Sequence, residues 1–283
     1  MNARLAEVIV GAPADDGRIG YKDDLSGLNF GREQLPLTVL MERLLQSCHE
    51  GNPVTLYAGA KSIADYMPGF ALDHRHDLLA KSDHPLMSIW IGNRVRIAAH
   101  WDLVQNIACV VGGRRRFTLF PIDQIANLYF GPVDFTPAGQ PISLVDFRAP
   151  DLGKYPRFEF ALKHAEVANL EPGDALYLPS LWIHHVEALD AIGVLVNYWW
   201  RPAGQRVDSP MLAMLHALRA IRELPEFERA GWRTLFDHYV FQGETLAMAH
   251  VPPHARGLLG PMTDEGVAQI NSYLRQSLGL DRQ

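Results

Sequence analysis

The sequence predicts a mainly β fold, a sandwich or a barrel, with helical segments on both sides of it. Short runs rich in β-branched and aromatic residues, each bounded by turn residues, fill the middle of the chain. Apolar residues recur at helical spacing before and after these runs. Apolar residues make up 48% of the 283 residues and charged residues 20%, which is typical of a globular protein with a sizeable core.

The N-terminal segment, residues 1–53, is expected to contain one helix. Up to about residue 31 it is rich in glycine and aspartate, which is typical of loops around one short strand. In the run REQLPLTVLMERLLQSCHE, the leucines and the methionine from position 37 to 45 lie at helical spacing, with a proline near the first turn. We expect an amphipathic helix that ends before Gly51.

The predicted β core covers residues 54–203, and a helical region follows at residues 204–283. The strands are expected in VTLYAG, LMSIWIG, VRIAAHWD, NIACVVG, RFTLFP, DALYLP, WIHHVEAL and IGVLVNYWW. Helical periodicity returns in SPMLAMLHALRAIREL, FERAGWRTLFDHYVF and TDEGVAQINSYLRQSL. The chain is therefore expected to have three parts.

Charge and cysteine content restrict the class of protein. The net charge is −6, which does not favour a nucleic-acid partner. Two cysteines are too few for a disulfide framework and suit a reducing compartment. No apolar window approaches the roughly 20 residues of a membrane span, and the opening residues lack a signal-peptide pattern. We expect a cytoplasmic protein that does not contact a membrane.

A histidine and an aspartate stand two positions apart in the predicted strand VRIAAHWD. Because successive side chains of a strand point to opposite faces, His100 and Asp102 share a face and Trp101 points away from them. A third ligand from a facing strand would complete a two-histidine, one-carboxylate triad, the arrangement of non-haem Fe(II) oxygenases. A His-x-Asp pair alone is common and is weak evidence for a metal.

Candidates for the third ligand stand in the strand WIHHVEAL. Alternation sends His184 and His185 to opposite faces, and the spacing alone does not choose between them. A turn at residues 190–191 would form a hairpin that pairs His184 with Asn197 as cross-strand neighbours. Alternatively, both histidines belong to a strand end without any role in metal binding.

Several motifs together resemble one known family. HWD, GGRRRFTLFP, GDALYLPSLWIHHVEAL and VNYW, in this order, resemble the cupin-like JmjC-domain Fe(II)- and 2-oxoglutarate-dependent oxygenases. That family includes the asparaginyl hydroxylase of hypoxia-inducible factor and bacterial cupin-like relatives. The resemblance covers roughly residues 56–200 and implies a double-stranded β-helix of the cupin or jelly-roll type. It selects His184 over His185, so the implied metal ligands are His100, Asp102 and His184.

The resemblance also implies 2-oxoglutarate as cosubstrate. Arg115, the middle residue of three consecutive arginines, stands where the family has a lysine that pairs with the far carboxylate. Tyr57 corresponds to a tyrosine that hydrogen-bonds the same carboxylate. Asn106 and Asn197 correspond to asparagines near the metal-proximal carboxylate. Family members often have a threonine that donates to 2-oxoglutarate three residues before the first histidine ligand, where this chain has Ile97.

The implied activity is hydroxylation of a C–H bond in a protein, a peptide, an amino acid or another small molecule. Succinate and carbon dioxide would be released, and no catalytic side chain beyond the metal ligands is assigned. Two alternatives stay open: a cupin metalloenzyme that does not use 2-oxoglutarate, and a non-catalytic cupin that binds a small ligand. Some relatives act on modified tRNA, which the acidic net charge disfavours. Terminal helices form a homodimer in the family, and the apolar stripe in residues 211–224 fits that role.

Overall fold

The computed structural model describes residues 4–70, 85–201, 209–242 and 248–280. The chain separates into two compact units, Met1–Ala203 and Gly204–Gln283. The first unit contains the β structure and the second contains helices. Within the described ranges, no helix has both the length and the apolar character needed to cross a membrane.

The first unit is built from two sheets. Its strands are β1 (Leu5–Gly11), β2 (Arg18–Ile19), β3 (Phe30–Pro36), β4 (Thr55–Ser62), β5 (Leu86–Gly92), β6 (Arg96–Trp101), β7 (Gln105–Gly112), β8 (Arg115–Phe120), β9 (Glu166–Leu170), β10 (Ala175–Leu178), β11 (Ile183–Ala188) and β12 (Gly193–Trp200). The larger sheet has the order β10-β7-β12-β5-β4-β1-β3, and the smaller has the order β2-β6-β11-β8-β9. Every pairing is antiparallel except that of β2 with β6. The predicted fold class, a mainly β protein of the cupin or jelly-roll type, is confirmed.

Two apolar clusters hold the larger sheet in place. One lies between the sheets and joins side chains of both, including Val110, Phe117 and Leu195. The other lies where helix α1 (Leu37–Ser47) packs its fully buried leucines, among them Leu40 and Leu44, against β1, β4 and β5. Two further short α-helices, α2 (Ile63–Tyr66) and α3 (Phe158–Leu162), and two 3-10 helices, Pro13–Asp15 and Ile122–Asn127, complete the described helices of this unit.

All eight predicted core strands are present, and the structure adds strands that the sequence pattern did not indicate. Residues Phe30–Pro36, partly assigned to the N-terminal helix, instead pair along their whole length with β1, so the helix begins at Leu37. The strand β9 was also missed, because most of its side chains are exposed and it lacks an apolar run. Strands β1 and β3 extend the larger sheet.

The predicted hairpin between β11 and β12 is wrong. His184 pairs with His100 and Leu119 in the smaller sheet, whereas Asn197 pairs with Ser88 and Ala108 in the larger sheet. Residues 189–192 carry the chain from one sheet to the other, so these two strands are not hydrogen-bonded to each other. Alternation indicates which face a side chain occupies but not which strand lies beside it.

A β-bulge interrupts the pairing of β6 with β11. Ile97 pairs with Val186 and His100 pairs with His184, so two alanines on β6 lie opposite one residue, His185. Because of the extra residue, Ile97 and His100 both line the same cavity although their separation is three positions. The bulge therefore determines which face presents His100.

The second unit contains the predicted C-terminal helices. They are α4 (Pro210–Ile221), α5 (Glu226–Phe236) and α6 (Asp264–Ser277), and a π-helical turn follows α5 at Asp237–Phe241. Proline at the first position of α4 lacks an N–H that a helix would leave unpaired in any case. Thr263 caps α6 by accepting a hydrogen bond from the Gly266 N–H. None of these three helices contains a buried side chain.

Candidate metal centre

Three potential metal ligands converge at one end of a cavity in the first unit. His100 lies near the end of β6, Asp102 follows that strand directly, and His184 lies on β11. One ligand atom from each residue can be chosen so that all three lie within 4.8 Å of one another. His184 Nε2 is 3.9 Å from Asp102 Oδ2, and the two imidazole centroids are 4.3 Å apart. The cross-strand pairing of the two histidines, which the sequence did not indicate, brings them together.

Backbone carbonyl groups orient both imidazole rings. His100 Nδ1 lies 2.9 Å from the Ala98 carbonyl oxygen, and His184 Nδ1 lies 2.9 Å from the Trp182 carbonyl oxygen. Because a carbonyl oxygen only accepts hydrogen bonds, Nδ1 of each ring must carry the proton. The lone pair is then on Nε2, which is the tautomer that a metal ligand needs.

Charge and burial also fit a metal ion. Burial, together with the neighbouring His100, lowers the pKa of His184, so this imidazole is neutral at physiological pH. A metal requires a deprotonated ligand nitrogen, so the neutral ring is the competent form. Asp102 accepts a hydrogen bond of 3.3 Å from Asn106 Nδ2, and its carbonyl accepts one of 2.9 Å from the Leu181 N–H. Two imidazoles and a carboxylate fit Fe(II) with open coordination positions.

The cavity beside these ligands has mostly apolar walls. Its volume is about 60 Å³, which is smaller than the about 300–1,000 Å³ typical of small-molecule sites. Its apolar walls come from both sheets and include Ile97, Phe117, Leu178, Val186 and Leu195. The arrangement is a mostly apolar chamber with a few convergent polar groups, as in ligand-binding pockets generally.

A buried arginine lines the cavity in addition to the three potential metal ligands. Arg115 is only 2% exposed, its Nε has no hydrogen-bond partner, and no carboxylate of the described residues forms a salt bridge with it. Burial lowers the pKa of Arg115 and raises that of Tyr57, which lines the same cavity. A buried cation without a counter-ion is unfavourable, so an anionic ligand fits this part of the cavity.

Two glycines leave space around the polar side chains. A β-carbon at Gly193 would lie 3.3 Å from Arg115 Nη2, and one at Gly92 would lie 2.9 Å from Tyr57 Cδ2. Gly92 and Gly193 are cross-strand partners in the larger sheet. An arginine guanidinium is bulkier than a lysine ammonium group, and the missing side chain at Gly193 gives it room.

The other arginines of the run face solvent. Arg114 is exposed and forms a bidentate ion pair with Asp190, with Nη2 to Oδ1 at 2.8 Å. Arg116 is exposed and donates to Asn169 Oδ1 at 3.0 Å. The middle arginine thus points inward and its neighbours point outward, which is the arrangement that strand alternation indicates.

The two asparagines form a hydrogen-bonded chain that ends at a potential metal ligand. Asn197 Nδ2 donates to Asn106 Oδ1 at 2.7 Å, and Asn106 Nδ2 donates to Asp102 Oδ2. Both asparagines are buried and line the cavity. Although the predicted pairing of Asn197 with His184 is wrong, both side chains reach the same cavity from opposite sheets.

Two tryptophans in the cavity wall carried no clear signal in the sequence. Trp90 and Trp199 contact each other edge to face with ring centroids 5.8 Å apart, and both indole nitrogens are buried without a partner. Aromatic residues inside apolar strands are usually core residues, so the pattern did not indicate Trp90. His185, the other histidine candidate, does not line the cavity, and its ring stacks on Phe147 at 4.3 Å.

Comparisons with known proteins agree with the fold. The model of the cupin-like domain family matches residues 1–206. The chain is 34% identical over 116 residues to lysine-specific demethylase JMJ31 of Arabidopsis thaliana. The aligned residues cover 41% of this chain and 21% of that protein. It is also 34% identical over 107 residues to tRNA wybutosine-synthesizing protein 5 of Danio rerio. Here the aligned residues cover 38% of this chain and 30% of that protein. The chain thus spans less than a third of these relatives.

One solved structure is a more distant match. The Escherichia coli ribosomal oxygenase YcfD, in complex with cobalt and 2-oxoglutarate, aligns with 99% of this chain and 57% of its own. The sequence identity is 15% and the TM-score is 0.39. The family match covers well over half of the chain, and JmjC proteins are among the relatives. This protein therefore belongs to the cupin-like domain family.

Proposed function

We propose that this protein is an Fe(II)- and 2-oxoglutarate-dependent oxygenase that hydroxylates a C–H bond. One observation supports the proposal most strongly: a His-Asp-His cluster and a buried, unpaired arginine line the same cavity. The cluster suits a ferrous ion, and the arginine suits an anionic cosubstrate.

Seven side chains that line the cavity have a proposed role. His100, Asp102 and His184 would hold the metal. Arg115 and the Tyr57 hydroxyl would bind the far carboxylate of 2-oxoglutarate. The remaining polar groups, on Asn106 and Asn197, would lie near the metal-proximal carboxylate.

The bound iron, with 2-oxoglutarate and dioxygen, would supply the oxidising power that converts a C–H group into an alcohol and 2-oxoglutarate into succinate and carbon dioxide. The protein's own contribution is orientation. The carbonyl groups of Ala98 and Trp182 keep the protons on Nδ1, so that each Nε2 faces the metal position. Arg115 fixes the cosubstrate in one direction, and the apolar walls exclude water. No protein acid or base is needed.

The alternatives predict different ligand binding. A cupin metalloenzyme that does not use 2-oxoglutarate would bind iron without any response to 2-oxoglutarate. A non-catalytic cupin would bind neither in a specific manner. Arg115 with Asn106 and Asn197 disfavours the first alternative, because these side chains offer partners to a bound dicarboxylate. The His-Asp-His cluster disfavours the second, because a cupin without catalytic function has no need of three metal ligands.

The substrate is proposed only as a class. One relative is named as a lysine-specific demethylase and another as a tRNA-modifying protein, so their names point to different substrates. We favour a protein, a peptide or a small molecule, because the net charge of −6 opposes binding to nucleic acid. We favour stable hydroxylation over demethylation from the motif resemblance, and we expect a cytoplasmic location.

Anaerobic titration tests the proposal. Fe(II) is added to the protein and then 2-oxoglutarate, and the visible metal-to-ligand charge-transfer band is recorded. We expect the band in the native protein and no band in His184→Ala. A protein that binds Fe(II) but gives no band with saturating 2-oxoglutarate would support the non-2-oxoglutarate alternative.

We also propose that the helical C-terminal unit forms a homodimer. Its helices expose large apolar side chains, including Leu212, Phe227 and Phe241 at 65%, 75% and 73%. Such apolar exposure is typical of surfaces that bind another protein. The mass in solution at micromolar concentration should equal two chains, and the mass of one chain would reject the dimer.

A further inference from the structure

Trp90 presents a hydrogen-bond donor that none of the described residues satisfies. It lies on β5, and its Nε1 is buried without a partner in the described structure. The indole N–H can only donate. Buried tryptophan N–H groups usually have an acceptor, and an unpaired one carries a free-energy cost in the folded state. An acceptor supplied by a ligand would remove this cost.

Trp90 lies near residues that pack around Arg115 in the same cavity. Gly92 lies two residues further along β5, on the same face, and a β-carbon there would contact Tyr57. The cross-strand partner of Gly92 is Gly193, which lies against the Arg115 guanidinium. The Trp90 and Tyr57 ring centroids are 6.0 Å apart.

Packing on one side of the indole leaves its N–H edge available. A β-carbon at Gly59 would lie 3.0 Å from Cζ3 and 3.1 Å from Cε3 of Trp90, so the benzene edge of the ring packs against this glycine. Nε1 is on the other side of the indole. Trp199 also has an unpaired N–H, but it stands two residues from Asn197 on β12, and the hydrogen bonds of Asn197 lead to Asp102.

We infer that the Trp90 N–H donates a hydrogen bond to the far carboxylate of 2-oxoglutarate, together with Arg115 and Tyr57. This inference rests on the proposed function. It explains how the chain compensates for Ile97, which stands where the resembled family often has a donating threonine and which lines the same cavity. In this protein a donor on β5 takes the place of a donor on β6.

Calorimetric titration of the Mn(II)-loaded protein under anaerobic conditions tests this inference. The two ligands are 2-oxoglutarate and 2-oxopentanoate, a keto acid of the same length without the far carboxylate. Trp90→Phe keeps an aromatic ring and removes the N–H. We expect it to raise the Kd of 2-oxoglutarate about tenfold or more, as for a hydrogen bond to a charged group. The Kd of 2-oxopentanoate and that of Mn(II) should not change.

The outcomes are distinguishable. Equal losses for both keto acids would mean that Trp90 acts only through packing, and no loss for either would mean that its N–H has no role; both results would overturn the inference. Failure of the native protein to bind 2-oxoglutarate would instead reject the proposed function. Trp232→Phe, at an exposed site of the second unit, is the matched control and should bind both ligands as the native protein does.

A second variant tests the compensation directly. Ile97→Thr in the Trp90→Phe background restores a hydroxyl in the cavity wall. Recovery of 2-oxoglutarate affinity, without a change for 2-oxopentanoate, would support the replacement of one donor by the other. Absence of any recovery would reject that replacement.

Discussion

Two adjacent histidines of the five-stranded sheet have different surroundings, because one lies on the cavity face and the other on the opposite face. His184 and His185 are adjacent, and each is only 4% exposed. On the cavity face, His184 joins another histidine and a carboxylate. On the opposite face, His185 stacks on Phe147, and burial followed by the nearby Arg96 lowers the pKa of His185 to about 3. Burial and a lowered pKa are common to both histidines, so neither property identifies the metal ligand.

Charged groups differ between the faces in the same manner. On the outer face, the charges are paired: Arg96 contacts Asp146 at 2.7 Å, and Arg148 contacts Glu187 at 3.0 Å. On the cavity face, Arg115 has no anionic partner among the described residues. A paired network stabilises the fold, whereas unpaired groups that converge on one cavity indicate a ligand.

Substitution of one histidine or the other should give the largest difference between the two faces, which is in metal affinity. His184→Ala should weaken Mn(II) or Fe(II) binding by more than the about 10–100-fold that loss of an outer hydrogen-bond partner costs, because a direct ligand is removed. His185→Phe keeps the stack on Phe147 and should leave metal affinity unchanged. Calorimetric titration with Mn(II) measures both. Equal losses in the two variants would remove the distinction between the faces.

Substitution of one adjacent arginine or the other should give the next largest difference, which is in the affinity for 2-oxoglutarate. Arg115→Leu should raise the Kd of 2-oxoglutarate about 30-fold or more, because truncation of one partner of a buried charge pair costs at least about 2 kcal/mol. Arg114→Leu removes an equal charge from the surface and should not alter that Kd. Binding is followed by the charge-transfer band of the Fe(II) protein. A similar Kd for the two variants would contradict the assignment of Arg115.

On the outer face, loss of a charge should affect stability and not ligand binding. Glu187→Gln weakens the contacts with Arg148 and Arg116 and should lower the free energy of unfolding by about 1–3 kcal/mol. Metal and 2-oxoglutarate affinities should be those of the native protein. Urea denaturation measures the change, with the exposed Glu166→Gln as control. A loss of 2-oxoglutarate affinity would show that the two faces are coupled.

The smallest effect is expected at the exposed ion pair of Arg114. Its hydrogen bonds lower the pKa of Asp190 from 3.8 to about 2. Because the carboxylate binds protons more weakly in the folded state, its contribution to stability is complete above about pH 4 and is lost as the pH falls through 2. The contribution should be below about 1 kcal/mol, as for other surface pairs. Arg114→Leu removes the side-chain hydrogen bonds but keeps the one from the backbone N–H of residue 114, so it should reduce the contribution, as measured by denaturation at pH 5 and pH 2.5.

Strand patterns predicted most of the β core because alternation and turn residues are local properties of the chain. His100 and Asp102 could be assigned to one face for the same reason, since residues two positions apart in a strand point to the same side. Local patterns could not relate His184 to His100, because this pairing joins strands that are distant in sequence. The resemblance, and not the spacing, distinguished His184 from His185.

Other features of the site had no readable signal in the sequence. The bulge in β6 depends on the pairing with β11, so simple alternation from Ile97 would turn His100 to the outer face. Trp90 stands in an apolar run in which any large side chain suits a core, and only its unpaired N–H distinguishes it. The β3 strand is exposed at four of its seven positions and forms because β1 provides a partner.

The hydrogen bonds of the two imidazoles have a consequence for how the protein can evolve. In both cases the acceptor is a main-chain carbonyl two residues earlier, at Ala98 and Trp182. A point mutation at either position changes the side chain but keeps the carbonyl oxygen. Natural variation can therefore do little to adjust the electron-donating strength of the histidines through these bonds. Asp102, which accepts a hydrogen bond from the replaceable Asn106 side chain, is the proposed ligand through which selection could tune a bound metal.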